Sequence, residues 1–449
     1  MNNTIGWLGI IRLGLVQTAL GAVVVLTTST INRIMVVELA LPAILPGLLV
    51  GLHYAVQVLR PRWGYGSDQG GRRTPWIVGG MATLALGGIG AAVATAWMQS
   101  QLIPGIALAV VAFVLIGLGV GACGTSLLVL LAKRVTERRR AAAATIVWMM
   151  MIVGFIVTAT LAGKYLDPFS AMRLIVVTTI VSVAAFLLTL IAVYKVEGVD
   201  NAHPVSGEKK SLSAQPSFKV ALAQVWDEPR ARRFTIFVFV SMLAYSAQDL
   251  ILEPFAGSVF GFTPGESTQL SGVQHGGVLA GMVLGALMAS GIGGAVLGSL
   301  RNWTIAGCIA SAVALLSLVA AGLAGPPWPL KYSVFALGVA NGAFAVAAIG
   351  SMMALASTGR ETREGVRMGL WGAAQGVAFG LGGLAGTMAS DLTRHVMTSP
   401  GAAYATVFAG EALLFLVAAR LAAAVDSTHP KPRAFVAADV GYQARLGKG

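Results

Sequence analysis

Apolar residues run along this chain in long blocks with few charges between them. A helix rises 1.5 Å per residue, so about 20 apolar residues cross a hydrocarbon core of roughly 30 Å. The blocks predict helices over 10–36, 42–60, 75–98, 104–132, 141–163, 170–195, 232–254, 268–292, 303–324, 330–356, 368–390 and 402–424. The expected fold is therefore all-α and membrane-embedded, with twelve transmembrane helices. The long polar interruption at 196–231 holds His203, Pro204, Glu208, Lys209, Lys210, Pro216 and Pro229. It predicts a linker between an N-terminal six-helix bundle (1–195) and a C-terminal one (232–424), followed by a polar tail (425–449). The first long segment has no small-residue cleavage site and reads as an uncleaved helix.

Composition agrees with the pattern. Of 449 residues, 56% are hydrophobic and 11% charged, with a mean hydropathy of +0.78, whereas soluble domains carry about a quarter charged residues. Cys123 and Cys308 fall in separate apolar blocks and read as packing residues. The net charge of +13 has a topological origin. With these spans, all but five of the 31 Lys and Arg lie on the side that holds both chain ends, the exceptions being Arg33, Lys164, Arg173, Lys331 and Arg394. This asymmetry predicts cytoplasmic termini and contact with anionic lipid headgroups. It argues against nucleic-acid binding, because the positive charge is spread over loops between spans.

The two halves repeat. Trp148 leads into Leu161-Ala162-Gly163 and Asp167, and 223 residues later Trp371 leads into Leu384-Ala385-Gly386 and then Asp391. A six-plus-six repeat with a long middle loop is the layout of the major facilitator superfamily, pseudo-symmetric about the membrane normal. After helix 2, Gly64, Asp68, Gly71, Arg72 and Arg73 form Gly-x-x-x-Asp-x-x-Gly-Arg-Arg, which resembles that superfamily's loop 2–3 signature. Glycines permit a tight turn, and Asp68 can cap a helix or pair with an arginine, latching one face.

A narrower resemblance lies in Asn32-Arg33-Ile34-Met35-Val36-Val37-Glu38-Leu39, preceded by Arg12-Leu13-Gly14 and followed by Pro42, Leu52-His53-Tyr54-Ala55 and Arg73-Thr74-Pro75-Trp76. Together these resemble the PucC/LhaA family of purple phototrophs, also called the bacteriochlorophyll delivery family. The resemblance implies an assembly factor for light-harvesting complexes in the bacterial inner membrane. Its expected partners are the antenna polypeptides, bacteriochlorophyll and membrane lipids, with carotenoid as a second pigment. Pigment-synthesis enzymes and the insertion machinery are further implied partners.

The alternative is a proton-coupled secondary transporter of a small metabolite or drug. Helices 4, 5, 10 and 11 are poor in the polar groups such a carrier needs, Asn341 and Gln375 aside. Catalysis is not expected, since Asp68 stands alone and no Asp-x-x-x-Asp pair for a diphosphate–Mg²⁺ site lies at a helix end.

Chlorin magnesium takes a neutral axial ligand, and imidazole suits it. His53 and His275 are the intramembrane histidines, 222 residues apart, and so near-equivalents in the repeat. Each either ligates pigment or bonds a neighbouring helix. Arg33, Glu38, Asp249 and Glu253 form a candidate intramembrane charge network, open between a structural role, a pigment or polypeptide contact, and proton coupling. Glu411 is a lone acid in helix 12. Glycines at spacing four on helices 8 and 11 predict close packing first and a flat groove second.

Overall fold

The computed structural model describes residues 5–57, 72–197, 226–288, 299–357 and 364–425. Gly64, Asp68 and Gly71 of the loop motif lie outside them. The described residues form twelve helices: α1 (Trp7–Glu38), α2 (Ile44–Val56), α3 (Thr74–Met98), α4 (Leu102–Arg134), α5 (Glu137–Leu166), α6 (Ala171–Val193), α7 (Pro229–Phe260), α8 (Pro264–Leu287), α9 (Leu300–Ala324), α10 (Leu330–Ser357), α11 (Glu364–Val396) and α12 (Pro400–Val425). Among the described residues, ten of the twelve are long and apolar enough to cross a membrane. The protein is a multi-pass membrane protein.

The packing repeats helix for helix. α1 packs on α5 and α6, as α7 does on α11 and α12. α3 packs on α4 and α6, as α9 does on α10 and α12. α2 packs on α4, as α8 does on α10. Each half has its own buried apolar core, one around Leu13, Phe113 and Leu127, the other around Phe237, Phe344 and Phe415. The halves meet along two seams, α5 against α8 and α2 against α11. The face holding Trp7 and Val425 is called here the terminal face, and the opposite one the distal face.

Two helices differ from their expected course for identifiable reasons. The apolar pattern ends the seventh helix at Pro254, yet α7 continues to Phe260. Proline has no N–H, so the carbonyl of Leu250, four residues back, loses its partner within the helix. The Nδ2 of Asn32 from α1 donates to that carbonyl at 2.6 Å. A freed carbonyl at membrane depth persists only when a neighbour satisfies it, and Asn32 does so. Helix α8 begins four residues earlier than expected, because Thr263 and Glu266 form a capping box around Pro264.

The glycines divide by role. On α8, a Cβ at Gly281 would lie 2.0 Å from the Val339 carbonyl oxygen of α10, and one at Gly342 would lie 2.0 Å from that of Val278. Here helices touch backbone to backbone, and only glycine fits. At Gly276, Gly372 and Gly376 a Cβ would meet nothing within 4 Å. Gly281→Ala should cost about 1–3 kcal/mol through overpacking, whereas Gly276→Ala should be close to neutral or mildly stabilising. Thermal melts of the two variants in detergent check this contrast.

Candidate functional site: the seams between the halves

The distal ends of both seams are closed by the same device. At the end of α11, Asp391 accepts from the backbone N–H of Ala43 (2.9 Å) and Ile44 (2.7 Å) at the start of α2. Following α5, Asp167 accepts from the Gly265 N–H (3.1 Å) and the Thr263 hydroxyl (2.7 Å) at the start of α8. A helix N-terminus offers unsatisfied N–H groups and a positive dipole end, so a carboxylate there is favoured. Each aspartate thus caps a helix of the opposite half. Both residues mark the repeat in sequence, but their partners are remote along the chain and no local pattern reveals them.

The α2–α11 seam is tight only distally. A Cβ at Gly47 would meet the Thr387 hydroxyl oxygen at 2.1 Å, whereas at Gly51 the nearest contact is the Gly380 carbonyl at 3.8 Å. Further towards the terminal face lie Gly376 and Gly372, with the open space noted above. Tyr54 and Phe379 meet across the seam with ring centroids 5.5 Å apart.

Helix α1 ties the halves together along a buried polar stripe. Two π-helical turns, Leu26–Thr30 and Ile34–Glu38, widen it, a departure that often marks functional stretches. Thr30 shares a hydrogen bond with Thr268 of α8 at 3.1 Å, and Asn32 reaches Leu250 as described. Arg33 is only 1% exposed. Its Nη1 donates to Glu38 Oε1 at 2.5 Å and its Nη2 to the Phe262 carbonyl at 2.6 Å. Gly257 makes room, since a Cβ there would press on the guanidinium at 3.0 Å.

Of the predicted charge network, the structure joins Arg33 and Glu38 in an ion pair. Asp249 and Glu253 make no ion pair with Arg33 among the described residues. Asp249 Oδ1 instead accepts from Gln274 Nε2 of α8 at 3.3 Å, and Glu253 lies buried within electrostatic range of Arg33.

The two histidines lie on α2 and α8, one helix of each seam. His53 on α2 is buried, with Nε2 at 2.9 Å from the Gln57 amide nitrogen. His275 on α8 lies edge-on to Phe155 of α5, centroids 4.7 Å apart. Its Nδ1 is 2.8 Å from the Ser271 carbonyl oxygen. A carbonyl can only accept, so Nδ1 carries the proton and Nε2 keeps the lone pair. This is the tautomer a metal-ligating imidazole requires. A Cβ on the adjoining Gly276 would meet nothing within 4 Å.

Of the loop motif, Arg72 is exposed and Arg73 buried. The Arg73 N–H, the Thr74 N–H and the Thr74 hydroxyl all donate to Glu197, past the end of α6. Burial opposes ionisation of Glu197, but these bonds and the charge of Arg72 outweigh it and hold the carboxyl below its ordinary value. This ties the start of α3 to the end of α6 on the terminal face.

The sequence comparison decides the family. The family model described as PUCC protein matches residues 30–429. The chain belongs to the PucC family. It is 54% identical over 427 residues to the bacteriochlorophyll synthase 44.5 kDa chain of Rhodobacter capsulatus, covering 94% of this chain and 96% of that one. It is 29% identical over 436 residues to Protein PucC of the same organism, covering 91% and 90%. Among solved structures, a bacterial homolog of the human lysosomal transporter Spinster, in an inward-facing unoccupied conformation, superposes with a TM-score of 0.65 at 15% identity, covering 93% of this chain and 96% of that one. A D-xylose–proton symporter gives 0.66 at 14%, covering 92% and 96%. This PucC-family chain therefore has the major facilitator fold.

Proposed function

We propose that this chain is an assembly factor for bacterial light-harvesting antenna complexes. It takes bacteriochlorophyll from the bilayer through a lateral seam and hands it to antenna polypeptides, with carotenoid as a second cargo. Family membership and the names of its relatives support the photosynthetic context. The observation that carries the pigment reading is His275. It is a seam-facing histidine in the tautomer that leaves Nε2 free to bind a magnesium centre, next to the uncrowded Gly276. His53 takes the equivalent place at the other seam, but Gln57 already engages its Nε2, so His275 is the better ligand.

The basic-residue asymmetry supports an inner-membrane orientation with both ends cytoplasmic and the distal face periplasmic. The open part of the α2–α11 seam then lies towards the cytoplasm. The role is read as non-catalytic. The word synthase in one relative's name belongs to that relative, and the isolated Asp68 offers no diphosphate–metal site here.

A second reading, a proton-coupled transporter of a small solute, draws on the half-buried Asp249, the buried Glu253 and Glu411, and the fold. The spectrum of the protein purified in mild detergent from a bacteriochlorophyll-producing host separates the two. A stoichiometric near-infrared band is expected in the parent, with loss or a shift in His275→Ala and loss in His53→Ala/His275→Ala. A band unchanged in the double variant would remove the histidines from pigment binding. A colourless parent would favour the solute transporter.

A further inference from the structure

We propose that Asp249 of α7 and Glu411 of α12 form a proton-binding site inside the second half of the bundle. The inference is independent of pigment binding.

The charges there do not balance. Three carboxylates sit within the spans of this half: Asp249 and Glu253, one helical turn apart, and Glu411. Glu253 and Glu411 are 2% and 3% exposed. Neither oxygen of either has a hydrogen-bond partner among the described residues. Asp249 has the single long bond from Gln274. The packing of α12 on α7 brings Glu411 within electrostatic range of Asp249. The neighbouring Gln248 is fully buried, and neither end of its amide has a partner.

The cation in electrostatic range of Glu253 is Arg33, which already serves Glu38 and the Phe262 carbonyl. Were every acid ionised, Asp249, Glu253, Glu411 and Glu38 would face one guanidinium. A buried carboxylate with no partner cannot remain ionised at membrane depth, and two ionised carboxylates in range of each other repel. Among the described residues no three His, Cys, Asp or Glu side chains are placed together to hold a metal ion. Protons are what remains, and the Asp249–Glu411 pair holds at least one of them.

The elements packed against this pair carry other ionisable groups. Within the membrane these are Arg33 on α1, His275 on α8 and Cys308 on α9, with Tyr245 and Tyr404 on α7 and α12 themselves. Glu38, Glu266, Lys331, Tyr332, Asp391, Arg394 and His395 lie at the distal ends of α1, α8, α10 and α11, while Arg12, Arg230, Arg232, Arg233, Arg301 and Arg420 lie towards the terminal ends of α1, α7, α9 and α12. None supplies the missing positive charge.

The site is wired to the contact between the halves. Leu250, next to Asp249, accepts the Asn32 bond from α1. A rearrangement of α7 that admits water to the pair changes its proton occupancy and strains that bond together. Proton occupancy is thereby coupled to how the halves close.

Infrared difference spectroscopy on the full chain in detergent tests the proposal, comparing acid with alkaline pH in H₂O and D₂O. The parent should show a protonated-carboxyl carbonyl band at neutral pH. Glu411→Gln and Asp249→Asn, which keep side-chain shape, should each weaken it, and Glu38→Gln should leave it unchanged. On alkalinisation in unbuffered solution, the parent should release at least one more proton per chain than the Asp249→Asn/Glu411→Gln double variant. Absence of the band in the parent would overturn the proposal without recourse to any variant. So would a band of undiminished intensity in the folded double variant.

Discussion

Replacing Arg33 by alanine will cost the folded chain about 3 kcal/mol, the low end of the range for removing one partner of a buried ion pair, because Glu38 keeps some contact with solvent. The side chain is among the largest fully buried ones. Its loss strands the Phe262 carbonyl and leaves Glu38, a third exposed, without its partner. It also takes away a guanidinium in range of Glu253. Arg33→Lys should recover only part of the loss, because an ammonium cannot present the two-pronged fork that reaches Glu38 and Phe262 at once. Unfolding of the purified variants in an anionic detergent titration measures both values. Wild-type stability in Arg33→Ala would show that the contact between α1 and the second half is incidental.

The second large effect concerns the distal caps. Losing a carboxylate cap costs about 1 kcal/mol, so Asp167→Ala/Asp391→Ala together remove about 2 kcal/mol from contacts that exist only while the distal face is closed. That corresponds to about a thirtyfold change in the ratio of distal-closed to distal-open molecules. Thiol labelling from the distal side, at cysteines placed in the seam near Gly47 and Gly163, should accelerate accordingly. Each single variant should give about half the effect on a logarithmic scale, since the two seams are separate and their contributions should add. Labelling unchanged in the double variant would show that these caps support local helix ends without holding the halves together.

Much of the architecture was readable in the chain because a bilayer imposes a simple rule. Twelve apolar blocks give twelve helices, and the Trp148 and Trp371 repeats announce the twofold arrangement. What the pattern misses is satisfaction of backbone groups across distance. Pro254 reads as a helix end on local grounds, and only Asn32, 218 residues away along the chain, explains why α7 runs on. The π-turns of α1 leave no signature in its apolar run. Asp167 and Asp391 are visible as repeat markers, yet capping requires knowing which helix start lies opposite.

The site was partly legible. The offset between His53 and His275 puts them on the corresponding helices α2 and α8, but their ring environments differ. Gln57 occupies one, while Ser271 sets the tautomer of the other. Arg33 was a plausible partner for Asp249 and Glu253, and five residues away Glu38 meets it instead, because the second π-turn brings Glu38 back alongside it. The glycines illustrate the same limit. Spacing of four does not distinguish Gly281, pressed against a carbonyl, from Gly376, beside open space.

The central claim is that the chain delivers pigment to antenna polypeptides without making pigment. The most direct test is to delete its gene in its phototrophic host, then measure antenna absorption in membranes and total extractable bacteriochlorophyll per cell during the first hours of induction. The account predicts that assembled antenna falls sharply while bacteriochlorophyll synthesis proceeds, and that the intact gene restores the antenna where a His53→Ala/His275→Ala copy does not. Normal antenna levels in the deletion strain, or loss of the pigment itself before antenna polypeptides appear, would contradict it.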